Sequence, residues 1–262
     1  MSLDLTIVIP AYNEEARLGR TLQDILAYGR RTRRHFDIIV VDDGSRDGTS
    51  ALVLKLKREA PELRLIRLPE NRGKGYAVRT GVVNAESAKV LFADADGATP
   101  IEELERLEHA LDGGAQVAIG SRAVAQGGVQ VRAKIYRRLM GRIFHTFVTA
   151  LTVRGFQDTQ CGFKLFVGSV AQDLFSRMRM PGFSFDVEVL MMARRRGYRV
   201  EEVAVNWVHQ PGSRVNLVVD SLRMMRDLFI IRSLALRGEY DTPQVALIDV
   251  AVGNRRPAPT SV

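Results

Sequence analysis

The sequence predicts an α/β protein: a doubly wound, mostly parallel nucleotide-binding type of sheet with helices on both faces. Three observations predict it. From residue 5 to about residue 120, β-branched apolar runs alternate with segments of helical periodicity. Two of those runs stop at carboxylates, Asp42-Asp43 and Asp94-Ala95-Asp96. A glycine-rich turn, Asn71-Arg72-Gly73-Lys74-Gly75, falls between the third and fourth runs. In open sheets of this kind the carboxyl ends of the strands are where ligands bind.

The elements follow in order. Leu5 to Pro10 reads as a buried parallel strand, closed by a proline. Glu14 to about Tyr28 has helical spacing, with Leu18, Leu22, Ile25 and Leu26 on one face. Phe36 to Val41 is a second strand, Thr49 to Glu59 a helix and Leu63 to Leu68 a third strand. A helix from about Tyr76 to Ala85 follows the glycine-rich turn. Lys89 to Ala93 is the fourth strand, then come a helix from Ile101 to Leu111 and a fifth strand from Ala115 to Ile119. The second half is less regular. It suggests helices over Tyr136–Leu151, Phe183–Arg196 and Val215–Arg237, the last with Val218, Leu222, Met225 and Phe229 on one face. Residues 1–242 are expected to form one catalytic domain that includes this C-terminal helix. Residues 243–262 are expected to be a partly disordered tail.

Composition narrows the function classes. The single cysteine, Cys161, permits no internal disulfide, and the four histidines form no zinc pattern. Met1-Ser2-Leu3-Asp4 runs straight into a strand pattern and no apolar run reaches the ~18 residues of a membrane span, so a soluble or peripheral protein without a signal peptide is expected. The net charge of +8 is unevenly placed. Between Gly113 and Gln157 there is no acid, while Arg122, Arg132, Lys134, Arg137, Arg138, Arg142 and Arg154 all lie there. A block of one sign points to an anionic partner. Few aromatic residues are interleaved with these cations before Phe144, which argues against nucleic acid.

Each motif has a local chemical reading. Asp94 and Asp96 repel one another and so favour a site where a cation or a metal-bound diphosphate neutralises them; a capped turn before Pro100 is the plainer alternative. Tyr12-Asn13-Glu14 place a ring and polar groups at the end of the first strand, suited to a nucleobase; a helix cap is the alternative, and both can hold. Asp43-Gly44-Ser45 fits a tight turn with a carboxylate acceptor, or an Asx-turn. Arg72, Gly73 and Lys74 bring cations and exposed N–H groups to the same edge.

These motifs, in this order, resemble the inverting family-2 glycosyltransferases, a family with a single-domain GT-A fold. The signatures are Val8-Ile9-Pro10-Ala11-Tyr12-Asn13-Glu14-Glu15, Val41-Asp42-Asp43-Gly44-Ser45 and Asp94-Ala95-Asp96. Asn71–Gly75, Phe92–Thr99, Asp158-Thr159-Gln160-Cys161-Gly162-Phe163-Lys164 and Phe185-Asp186-Val187-Glu188 narrow the resemblance to the dolichyl-phosphate β-glucosyltransferases and their polyprenyl-phosphate relatives. The resemblance covers roughly residues 4 to 235. It implies that Pro10, Ala11, Tyr12, Asn13, Glu14, Asp43, Arg72, Lys74, Asp94, Ala95, Asp96 and Arg214 bind the donor, with UDP-glucose the expected nucleotide sugar. It implies Mg²⁺ or Mn²⁺ at Asp94 and Asp96. Arg122, Arg137, Arg138, Asp158 and Gln160 would line the acceptor side, with Asp96, Arg122, Arg137 and Asp186 closest to the chemistry. A lipid monophosphate is already anionic near neutral pH and needs cationic clamping more than a base. On that reading Asp186 orients arginines; with a hydroxyl acceptor it would serve as the base. GDP-mannose as donor and a soluble hydroxyl acceptor are the alternatives. The expected partners are a nucleotide sugar, a dolichyl or polyprenyl phosphate, and the cytosolic face of a membrane or a separate membrane protein.

Overall fold

A computed structural model describes residues 4–124, 131–132, 155–210 and 217–242; statements about side chains exclude residues 131–132 and 217–222. Every residue of the first strand, β1 (Leu5–Ala11), and of the second, β2 (Phe36–Asp42), is buried. Their β-branched runs are therefore sandwiched on both faces, as interior parallel strands must be. Between them runs α1 (Glu15–Thr32), which buries Leu18, Leu22, Ile25 and Leu26 as its periodicity predicts. The helix stops at Arg33, whose left-handed φ of 53° turns the chain back towards the sheet.

The next elements are α2 (Thr49–Lys57), β3 (Leu63–Arg67), α3 (Lys74–Val83), β4 (Lys89–Ala93), a 3-10 turn (Ile101–Glu103) leading into α4 (Leu104–Asp112), and β5 (Val117–Ser121). All were expected within a few residues. A two-residue strand, β6 (Val131–Arg132), follows. Then come β7 (Phe163–Val167), α5 (Gly168–Arg177), α6 (Phe185–Arg195), β8 (Val200–Ala204), the two-residue β9 (Trp207–Val208) and α7 (Leu217–Leu236).

The main sheet has the order β3-β2-β1-β4-β7-β5-β8. Its pairings are parallel except at β7, which runs antiparallel to both β4 and β5. Strand order reverses at β1 and β4, so the carboxyl ends of β1, β2 and β4 open onto one crevice. One apolar layer packs α1, α2 and α4 against one face, around Ile7, Ile9, Ile38 and Leu91. The other packs α3, α5, α6 and α7 against the opposite face, around Val8, Val41, Phe92 and Phe166.

Three differences from the sequence expectation stand out. β7, α5 and β8 were not anticipated. The C-terminal helix also buries a different face: Met224, Leu228, Ile231 and Ala235 are buried, whereas Phe229 is exposed. An apolar helix contains more than one stripe at helical spacing, and tertiary packing chose the other. Finally, the expected helix Tyr136–Leu151 and the tail from residue 243 lie outside the described residues.

Candidate active site

The loops after β1 and β2 are laced together by side chain to backbone bonds. Asn13, held at a left-handed φ of 53°, donates its N–H to Ser45 Oγ (2.8 Å) and accepts Arg46 N–H on Oδ1 (2.7 Å). Glu14 N–H donates to Thr49 Oγ1 (2.8 Å), and Glu15 Oε2 accepts Gly48 N–H (2.9 Å). Glu14 stands at the N-cap of α1, but its side chain makes no capping bond. Its carboxylate instead receives a forked bond from Arg17 (2.8 and 2.5 Å), which carries Arg17 to 3.8 Å from Asp96. Tyr12 is half-buried beside Asn13 at the mouth of the crevice.

The two adjacent acids at the end of β2 divide the work. Asp42 Oδ1 accepts Ser45 N–H (2.8 Å), three residues on, and its Oδ2 accepts from the Ser50 hydroxyl, so Asp42 and not Asp43 fastens this turn. Asp43 is buried and accepts Arg72 N–H (2.8 Å) and Gly73 N–H (2.9 Å), so it fastens the glycine-rich turn to the strand edge. Burial pushes the Asp43 carboxyl up, and the two N–H donors and Arg72 only partly offset this. A carboxylate accepts more than two hydrogen bonds, so Asp43 keeps capacity for a further donor. Gly44 and Gly73 have φ of 71° and 102°, and a Cβ on Gly73 would sit 2.5 Å from the Pro181 carbonyl. The turn needs glycine there. Arg72 stacks over the Tyr76 ring (3.9 Å) and donates to its hydroxyl (2.8 Å).

Asp94 and Asp96 follow the last residue of β4. Lys74, at the start of α3, pairs with Asp94 Oδ1 (2.7 Å). Burial alone would lower the Lys74 ammonium; the surrounding carboxylates of Asp94, Asp186 and Asp96 outweigh it and raise the group above its usual range. Ala95, between the acids, is buried and its carbonyl accepts Thr21 Oγ1 (2.8 Å). Asp96 accepts Ala98 N–H (3.1 Å), and burial followed by the neighbouring Asp94 raises its carboxyl. The turn and the carboxylate pair are therefore both realised, although no side chain caps the 3-10 turn that follows. Gly162 lies against this pair: a Cβ there would fall 2.0 Å from Asp94 Oδ2, and its carbonyl accepts Asp94 N–H (2.9 Å).

Among the described residues no group of three or more His, Cys, Asp or Glu assembles. The protein thus offers a divalent cation two carboxylates. That fits a hard cation that completes its shell with phosphate oxygens and water, and the elevated carboxyl of Asp96 is a group such a cation would relieve.

On the other side of Asp94 lie the residues that the sequence leads one to expect on the acceptor side. Arg122, directly after β5, makes a fork to Asp158 (2.6 and 2.7 Å), and its own N–H donates to Asp158 (3.0 Å). Burial opposes both charges, but the pairing dominates: it holds the Asp158 carboxyl below its usual range and the Arg122 guanidinium above its own. The Arg122 guanidinium lies 5.5 Å over the Trp207 ring. Asp158 is further fixed by its N–H to Glu202 (2.8 Å). Gln160 N–H donates to Asp158 (3.2 Å), and its amide lies 3.7 Å from Met224 Sδ on α7.

Asp186 was expected to orient arginines. Its described salt-bridge partner is instead Lys164, which is fully buried on β7 and also donates to the Cys161 carbonyl (2.6 Å). Burial raises the Asp186 carboxyl, against the pull of Lys164 and Lys74. Gly162 and Lys164 stand in the motif Asp158–Lys164 but were given no role from the sequence, and Arg17 and Trp207 were not singled out; the structure sets all four beside the expected site residues. Arg137, Arg138 and Arg214 lie outside the described residues.

A sheet that carries donor-type carboxylates, a glycine-rich turn and a carboxylate pair at one edge has relatives. Residues 6–175 match the family described as "Glycosyl transferase family 2". This chain belongs to glycosyltransferase family 2. The glycosyltransferase is 40% identical over 245 residues to a dolichyl-phosphate beta-glucosyltransferase of Drosophila melanogaster, covering 88% of this chain and 74% of that protein. It is 37% identical to the human enzyme of that name (92% and 78% covered) and 37% identical to the one of Saccharomyces cerevisiae (90% and 76%). Among solved structures, mannosyl-3-phosphoglycerate synthase from Rubrobacter xylanophilus matches with a TM-score of 0.63 at 19% identity, over 95% of this chain and 78% of that one. Glucosyl-3-phosphoglycerate synthase from Mycobacterium tuberculosis, in complex with Mn²⁺, UDP-glucose and phosphoglyceric acid, matches with a TM-score of 0.61 at 19% identity, over 93% and 81%. These structural likenesses establish the GT-A-like fold.

Proposed function

We propose that this glycosyltransferase moves glucose from UDP-glucose to a dolichyl or polyprenyl monophosphate, with inversion, at the cytosolic face of a membrane that it meets peripherally. The curated relatives support the substrate pair. The observation that favours a phosphate over a hydroxyl acceptor is the state of the carboxylates. Asp158 is forked by Arg122, Asp186 is paired with buried Lys164, Asp94 is held by Lys74, Asp43 binds the glycine-rich turn, and Asp96 is reserved in this reading for the divalent cation. A general base needs a carboxylate that can take a proton within reach of the acceptor. An acceptor that brings its own negative charge needs no such group.

The division of labour follows from position. Tyr12, Asn13 and Asp43 line the nucleobase end, where Asp43 can accept one more hydrogen bond. Arg72 and Lys74 stand beside the diphosphate path, and Lys74 can exchange Asp94 for a phosphate oxygen. Asp94 and Asp96 would hold a divalent cation, Mg²⁺ or Mn²⁺, which when bound neutralises charge on the departing nucleoside diphosphate. Arg122, fixed in orientation by Asp158 and Trp207, presents a cation on the acceptor side. Arg137, Arg138 and Arg214 belong to the same proposal as phosphate-binding cations. Residues 1–242 are proposed to act as one catalytic domain.

The test is direct. The protein is incubated with labelled UDP-glucose or GDP-mannose, dolichyl phosphate and Mn²⁺ or Mg²⁺, and the organic phase is counted. Lipid-linked label from UDP-glucose, lost on omission of dolichyl phosphate or addition of EDTA, is expected. Label from GDP-mannose alone, or none in the organic phase with either donor, overturns the proposal.

A further inference from the structure

α7 packs one stripe, Met224, Leu228, Ile231 and Ala235, into the core. The opposite stripe carries Arg226, Phe229, Ile230, Ser233 and Arg237 at helical spacing, flanked by Arg223 and Leu236. Phe229 is 58% exposed, Ile230 37% and Leu236 76%, three of the five exposed large apolar side chains among the described residues. Single exposed apolar residues are ordinary; three on one helix face, bordered by arginines, form a patch. The one acid among the described side chains of this helix, Asp227, turns inward, accepting from Ser184 Oγ (2.9 Å) and pairing with Arg226 (3.2 Å). Among the described side chains the face is thus apolar in the middle, cationic at its edges and without an outward acid.

We infer that this face of α7, centred on Phe229 and Ile230, seats the protein on an anionic lipid surface. Aromatic and aliphatic side chains enter the headgroup boundary while arginines pair with lipid phosphates; such helices need both terms, since neither alone holds firmly. Charge complementarity selects this occupant over a second copy of the chain, because two such faces would bring arginines together. The choice of a lipid surface rests on the lipid-acceptor reading above. The position of the helix adds a consequence. Its buried side touches the acceptor half of the site, through Met224 to Gln160 (3.7 Å) and through Asp227 to Ser184, the residue before the helix that bears Asp186. Seating this face therefore places Arg122 and Asp158 near the lipid boundary from which a polyprenyl phosphate would come.

The experiment uses the full chain and vesicles of phosphatidylcholine with or without phosphatidylglycerol, read by co-sedimentation. The wild type is expected to bind anionic vesicles about tenfold or more tightly than neutral ones. Phe229→Ser/Ile230→Ser/Leu236→Ser and Arg223→Ser/Arg226→Ser/Arg237→Ser should each lose most of that binding. Both should keep the wild-type melting temperature and its glucose transfer to a short, water-soluble isoprenyl phosphate. A wild type that ignores anionic vesicles, variants that bind as well as it does, or a wild-type dimer that these variants dissolve would each overturn the inference. If vesicles bind as expected but no glucose is transferred, the inference stands and the substrate proposal fails, so the two are separable.

Discussion

Asp94 is the residue on which the proposed donor and acceptor halves of the site converge. It is held from one side by Lys74 and from the other by Gly162, whose missing side chain leaves the space the carboxylate occupies. Glycine at 162 is a steric requirement, since a Cβ would stand 2.0 Å from Asp94 Oδ2. Gly162→Ala should therefore displace the carboxylate while leaving the sheet intact. Because misplacement of a binding group by about 1 Å costs on the order of 100-fold, kcat/KM for UDP-glucose is expected to fall by about that factor with an unchanged far-UV circular dichroism spectrum. A variant with wild-type kcat/KM would show that Asp94 does not need this position.

At the level of elements, the laced loops after β1 and β2 make the donor edge rigid, and Asn13 is the knot. Its left-handed backbone suits asparagine better than alanine, and its side chain satisfies Arg46 N–H. Asn13→Ala should lose about 1–3 kcal/mol of stability in urea unfolding, from the backbone and the bond together. Asn13→Gly, which tolerates the backbone, should lose less. Equal losses would remove the backbone from the account. This edge was legible in the sequence because each contributing strand is a buried apolar run that ends in its own functional side chain, as Val41-Asp42-Asp43 does. β7 was not legible. It is five residues long, carries a charged Lys164 at its second position, and is stabilised by ladders to β4 and β5, strands that no local pattern pairs with it. Lys164 looks like a surface residue until Asp186, from another element, is placed beside it. The face of α7 failed for a different reason: Val218, Leu222, Met225 and Phe229 keep helical spacing as well as the buried set does, so periodicity alone could not choose.

For the whole molecule, Glu188 ties together three segments that are separate in sequence. Fully buried on α6, it accepts Arg179 N–H (2.9 Å), Met180 N–H (2.9 Å) and the Tyr240 hydroxyl (2.8 Å), joining the turn after α5 to the chain that follows α7. Burial pushes its carboxyl up to about 7, even though these donors and the Arg179 charge pull it down. A carboxyl raised on folding binds its proton more tightly in the native state. Its stabilising contribution is therefore complete below the ordinary glutamate value, and is lost as pH rises through about 7. The full swing is on the order of 3 kcal/mol at most. Asp43, Asp96 and Asp186 are also raised, so the wild-type slope alone does not isolate Glu188. Glu188→Gln does, because glutamine keeps the size and removes the titration. Its amide also turns one N–H₂ towards a backbone donor, which lowers stability at every pH by a similar amount. From pH 5 to pH 8 the wild type should lose more stability than Glu188→Gln, measured as urea midpoints at each pH. Parallel pH profiles for the two proteins would mean that Glu188 is already ionised at pH 5 and that its three donors outweigh its burial.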